Sequence, residues 1–236
     1  INVDNLAEKF NNEPDIERIG RCVSDVAKAN KDVAEMLVDN LAEKINNEPD
    51  IYKIDWCVSD VAKANKDVAE MLVKNINVDK LTEKINNEPA IHRIGRCVSH
   101  VAEANKDVAE MLVKNINVDN LAEKINNEPD IERIGKCVSG VAEANKEVAE
   151  MLVKKINIET LVEKMNLSDN GEVIVSLLTK IGKVSGEIFR LLSKRATPKT
   201  IEIIRDWIRK LDDVDLLNEF KEIVLREDKE FAKKIF

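Results

Sequence analysis

Pro14–Val38 reads PDIERIGRCVSDVAKANKDVAEMLV, and nearly the same words return at Pro49–Val73, Pro89–Val113 and Pro129–Val153. Diverged copies follow at Asp169–Ser193 and Asp212–Phe236. By length alone, 236 residues would suit one or two ordinary domains. A repeating unit changes that expectation, because stacked units share one continuous core. The chain therefore reads as a single domain over 1–236, with units ending near 38, 73, 113, 153, 193 and 236.

Within a unit, NNEP breaks the chain. Pro14 has the fixed φ suited to a first helical position, so a long helix is expected from there to about Ala29. Asn30 ends it and caps a second helix, KDVAEMLV. The equivalent positions Asn65, Asn105, Asn145, Ser185 and Asp228 all carry side chains that can accept an orphan N–H. A short helix completes the unit. Its expected caps are Asp4, Asp39, Asp79 and Asp119, then Glu159, then Thr197 with Pro198 behind it.

Successive copies start 35, 40, 40, 40 and 43 residues apart. The short step lacks the KNINV found elsewhere. Removing five residues from a continuous helix would rotate everything after them by about 140°, so the loss is expected in the connector. From Met165 onward the copies diverge, and residues 165–236 read as terminal capping repeats.

The composition agrees. The apolar fraction of 44% can fill a core, and with aromatics at 3% that core is aliphatic. Seven Gly and five Pro are too few for a turn-rich β chain, and Lys, Glu, Ala and Leu favour helix. A net charge of −8 disfavours nonspecific nucleic-acid and anionic-membrane binding. No apolar run approaches the roughly 18 residues of a membrane span. Residue 1 falls inside a copy, so the chain reads as an excerpt of a longer protein.

Cys22, Cys57, Cys97 and Cys137 recur at one position, where later copies carry Leu177 and Phe220. A site that accepts all three residue types is a core site. Stacked helices lie about 8–10 Å apart, beyond disulfide reach. Free thiols fit a reducing, cytoplasmic compartment. Asn166-Leu167-Ser168 matches a glycosylation acceptor, against which the cysteine usage argues.

On a helical wheel, Ile16, Ile19, Cys22, Val23, Val26, Ala27 and Ala29 form the core face. The radical differences between copies gather opposite. One position reads Glu17, Tyr52, His92, Glu132, and the next Arg21, Trp56, Arg96, Lys136. A third reads Asp25, Asp60, His100, Gly140, and a fourth Lys28, Lys63, Glu103, Glu143. Gly20, Asp55, Gly95 and Gly135 lie on the edge of this stripe. Drift on a solvated face would also vary, yet Glu35, Glu70, Glu110 and Glu150 do not change. The stripe holds the only Tyr and one of two Trp, residue types typical of binding hot spots. Arg18, Lys53, Arg93 and Arg133 flank it. With Arg21, Arg96 and Lys136 they suggest a locally positive track, either a plain solvated face or a groove for an acidic segment. His92 and His100 sit about 12 Å apart along the axis, too far to share a metal.

Three helices in about 40 residues, the last one long, resemble the armadillo repeat, in the order NKDVAEMLVKN, INVDNLAEKINN, EPDIERIGRCVSDVAKA. The segments RCVSDVA from Arg21, WCVSDVA from Trp56, RCVSHVA from Arg96 and KCVSGVA from Lys136 stand where that family has a WxLSNxA-like signature. The resemblance implies an all-α, right-handed α-solenoid of about six three-helix repeats. It also implies a concave ladder of long helices that holds an extended peptide. Trp56 falls on the family's Trp position, and Asp25, Asp60, His100 and Gly140 fall on its Asn position. No copy has the Asn that would clamp a peptide main chain, and HEAT-like repeats are the alternative.

The leading functional expectation is a protein- or peptide-binding module. Its candidate surface is Glu17, Arg18, Arg21, Asp25, Tyr52, Lys53, Trp56, Asp60, His92, Arg93, Arg96, His100, Glu132, Arg133 and Lys136. A structural scaffold or spacer is the alternative, and a nucleic-acid binder ranks behind both. No Gly-rich phosphate loop, HExxH or Ser/His/Asp set points to catalysis, a metal or a cofactor.

Overall fold

A computed structural model describes residues 3–210 and 213–236, with side chains from residue 5 onward. The side chain of the expected cap Asp4 and the start of the sixth copy at Asp212 lie outside the described residues. Among the described residues there are helices and no strand. They run α1 (Val3–Asn12), α2 (Ile16–Ala29), α3 (Lys31–Glu35), α4 (Val38–Asn47), α5 (Ile51–Ala64) and α6 (Lys66–Asn75). Then come α7 (Val78–Asn87), α8 (Ile91–Ala104), α9 (Lys106–Asn115), α10 (Val118–Asn127), α11 (Ile131–Ala144) and α12 (Lys146–Lys155). The chain finishes with α13 (Ile158–Leu167), α14 (Gly171–Val184), α15 (Gly186–Lys194), α16 (Pro198–Lys210), α17 (Val214–Glu227) and α18 (Lys229–Ile235). Helices pack on neighbours close in sequence, as an α-solenoid requires.

The chain divides into two compact units, residues 1–117 with 143–145, and 118–142 with 146–236. In the first, the long helices α2 and α5 pack side by side, as do α5 and α8, with α4 on α6 and α7 on α9 behind them. In the second, α14 carries α17, α15 and α16, and α10 packs on α12.

The cap chemistry explains the boundaries. Side chains of Asn30, Asn65, Asn105, Ser185 and Asp228 accept N–H groups of the following helix, as expected. The long helix starts later than Pro14. Asp15, extended at φ −93° and ψ 105°, caps α2 by accepting the Glu17 N–H, and the Glu13 carboxylate takes the Asp15 N–H at 3.0 Å. Pro14 thus belongs to the turn before the helix.

The short helices start earlier than expected. Asn77 caps α7 and Asn157 caps α13, so Asp79 and Glu159 lie inside the first turn, where a carboxylate meets the positive helix end. Thr197 caps the Lys199–Thr200 turn of α16 through Oγ1, with Pro198 as first residue, as expected. At the shortened junction Asp39 is no cap either. There α4 starts at Val38 with no side-chain cap, and α3 keeps five residues where α6 and α9 have ten. The missing residues come out of the helix end as well as the connector. Val38 serves as the first residue of α4, which Val78 does for α7.

The core face forms largely as the wheel places it. Ile16, Ile19, Val23 and Val26 are buried, as are their counterparts in the second, third and fourth copies. Ala27 is buried too, whereas Ala62, Ala102 and Ala142 at its position are half-buried. Ala29 is exposed, whereas Ala104, Ala144 and Val184, at the same last position of α8, α11 and α14, are buried. Cys57, Cys97 and Cys137 are buried free thiols, Cys22 is half-buried, and Leu177 and Phe220 are buried at the same position. Long helices approach closely at the glycine position. A Cβ on Gly20 would stand 2.8 Å from Cys57 Sγ.

Candidate functional site

The variable stripe of α2, α5 and α8 is built from side chains one helical turn apart on helices that lie side by side. Trp56 and Tyr52 are half-buried, and Arg21 and Arg96 are exposed. The guanidinium of Arg21, from the first copy, lies over the Trp56 ring at 5.8 Å. Tyr52 is met from the third copy by Arg93 at 5.4 Å and Arg96 at 5.7 Å. Arginine cations over aromatic faces are attractive. The structure thus brings Arg21, Tyr52, Trp56, Arg93 and Arg96 together across three copies.

The expected positive track is balanced by carboxylates. Arg18 lies 3.6 Å from both Glu13 and Asp15, and Arg21 3.9 Å from Glu17. Arg93 is 3.9 Å from both Asp50 and Glu88. Arg96 Nη2 stands 3.0 Å from Asp55 Oδ2. Local acids at the helix starts, which cap N–H groups, also neutralise the arginines beside them.

Other stripe residues are placed as follows. Asp25 is exposed and pairs with Lys28 at 3.4 Å. Asp60, Lys53 and His92 are half-buried, and the Asp60 carbonyl accepts the Ser24 hydroxyl at 3.0 Å. In the second unit, Glu132 pairs with Lys136, and Arg133 lies 3.4 Å from Asp130 and 3.9 Å from Glu128. These three form a local cluster of their own on α11.

Asp55 is the residue the wheel undervalued. Placed on the edge of the stripe, it is buried in the seam between α5 and α8, its side chain 2% exposed. His100 Nδ1 hydrogen-bonds to Asp55 Oδ1. Burial pushes the Cys97 thiol up, and the Asp55 charge adds to it. The signal available in the sequence was an Asp at a position otherwise Gly in the first four copies, followed one copy later by His100 at a position otherwise Asp or Gly.

Among the described residues no group of His, Cys, Asp and Glu could hold a metal. No described helix is long and apolar enough to cross a membrane. A cleft of about 480 Å³ near Asn47, Pro49, Lys80, Glu83 and Lys84 is lined by none of the stripe residues. No protein-family model matches the chain, and no characterised protein matches it in sequence.

Proposed function

We propose that the chain is a protein- or peptide-binding module, a right-handed solenoid of six armadillo-like repeats. Its ligand is a protein or extended peptide segment lying along the long helices, in a reducing, cytoplasmic compartment suited to free thiols. The observation that carries the reading is the row of half-buried aromatic faces, Tyr52 and Trp56, backed by arginines on a frame whose buried residues hardly vary. Because each of those arginines already has a carboxylate beside it, an acidic ligand would have to displace bonds in place. Packing on ring faces and hydrogen bonding therefore outweigh net charge in recognition. The reading requires no catalytic group.

Selection of a displayed random-peptide library on the intact chain tests this. Enriched peptides should lose about 2 kcal/mol of binding, close to thirtyfold, on Trp56→Ala, while the melting temperature stays nearly unchanged. A melting temperature that collapses would make Trp56 a core residue and end the reading.

A second reading is a structural scaffold. The pairs Arg21–Trp56 and Arg93–Tyr52 also tie one copy to the next, which serves a spacer as well as a binder. Failure to enrich any peptide, together with self-association in sedimentation, would favour it.

A further inference from the structure

The first four copies are so alike that their apolar faces cannot say which copy should follow which. Any of them would present Ile, Val and Cys at the same places to its neighbour. A stack built from interchangeable parts is open to slipped or exchanged pairings. One seam differs. At the position where the first, third and fourth copies have Gly20, Gly95 and Gly135, the second has Asp55. The carboxylate lies between α5 and α8, bonded to Arg96 at 3.0 Å and to His100, both from the third copy.

The partners are as particular as the acid. At the position of His100 the other copies carry Asp25, Asp60 and Gly140. Set against the first copy, Asp55 would face Asp25; against a duplicate of the second, Asp60; against the fourth, Gly140 with no imidazole. Two carboxylates in a seam where one is 2% exposed repel with little water to screen them. The third copy alone offers two donors and no acid there. The departure from Gly at 55 and the departure from Asp at 100 are two halves of one contact.

From this we infer that Asp55, Arg96 and His100 form an address that makes the third repeat the specific neighbour of the second. The apolar core supplies adhesion and this buried polar set supplies order. Such sets commonly specify register rather than add stability. The inference is independent of any groove ligand, since none of its atoms needs to touch one.

Thermal unfolding of the full chain tests it with the residues that the other copies already use. His100→Asp should lower the melting temperature by about 10 °C, and Asp55→Gly by about 5 °C. The double variant, which reproduces the pairing of Gly20 with Asp60 in the first pair of copies, should return to within about 3 °C of the parent. If His100→Asp does not fold, recovery of a folded chain in the double variant supports the address just as directly. A double variant that falls by the sum of the single losses, or that also fails to fold, overturns it. So do single variants that melt with the parent.

Discussion

A thiol with no water around it keeps its proton far into the alkaline range. Burial pushes the Cys57 and Cys137 thiols from 9.0 to about 12. The unfolded chain releases these protons near pH 9, whereas the folded chain holds them. Between those values the folded state therefore binds more protons, and stability falls as pH rises. The contribution is whole below pH 9 and lost on the way to about pH 12. Urea midpoints should accordingly decline from about pH 9 upward, and a Cys57→Ser/Cys137→Ser chain should show a shallower decline, keeping the part that Cys97 and Cys22 contribute. The same burial protects the sulfur from attack. Alkylation at pH 8 followed by mass mapping should label half-buried Cys22 first and reach Cys57, Cys97 and Cys137 only with unfolding. At this scale the sequence was a good guide, since a position shared by Cys, Leu177 and Phe220 admits only a core. It was a poor guide to Asp55. Its partners lie one repeat away, and its burial depends on how closely α5 and α8 approach.

Short helices are held by a ladder of asparagines that periodicity does not reveal. Asn46, Asn86 and Asn126 each use Oδ1 to accept the N–H of the residue just before the next short helix, Asn77, Asn117 and Asn157, at 2.7, 2.9 and 2.8 Å. Asn166 does the same for Thr197 at 3.1 Å. Behind them, Lys44, Lys84 and Lys164 donate to carbonyls at the end of the preceding short helix. Asn126→Ala should cost about 0.5–1.5 kcal/mol in urea unfolding, the net worth of the hydrogen bond lost, since water can reach the Asn157 N–H. Asn11, the matching residue of the first copy, faces the shortened junction and should cost no more than a few tenths. That junction also lacks the Asn cap and the buried Ile76, Ile116 or Ile156 that other junctions have. Inserting Lys-Asn-Ile-Asn-Val after Val38 should lengthen α3 to match α6 and raise the melting temperature by about 3–5 °C. A lower value would show that the first copy has adapted to the short step. Caps such as Asn65 were legible because capping is a local matter of one side chain and the next turn. The two-residue error at Asp79 arose because Asn77 and Asp79 are both good caps. Only the packing of Leu81 and Ile85 decides between them.

For the molecule as a whole, near-identical copies made the all-helical stack readable, since one unit repeated must bury its face on another. What repetition hides is that equal sequences need not be equally stable. Each layer gains from its neighbours, so protection should follow how many sides of a helix are covered. In the first unit α5 has α2 on one side and α8 on the other, whereas α2 has α5 alone among long helices in that unit. In the second, α14 is covered by α12, α15, α16 and α17, and α17 by α14, α15 and α18. Hydrogen exchange followed by mass spectrometry should then find amides of Val58–Val61 slower than those of Val23–Val26, though the two segments read CVSDVA alike. Amides of Leu177–Ile181 should likewise outlast those of Phe220–Val224. The difference within each pair should be tenfold or more if one covered side contributes about 1.4 kcal/mol or more to the opening free energy. Equal rates throughout would mean that the whole stack opens as one cooperative body, and that nearest-neighbour reasoning does not apply to it. Because the paired segments in the first unit share their residues, no difference in intrinsic helix propensity could produce the gradient; only the neighbours differ.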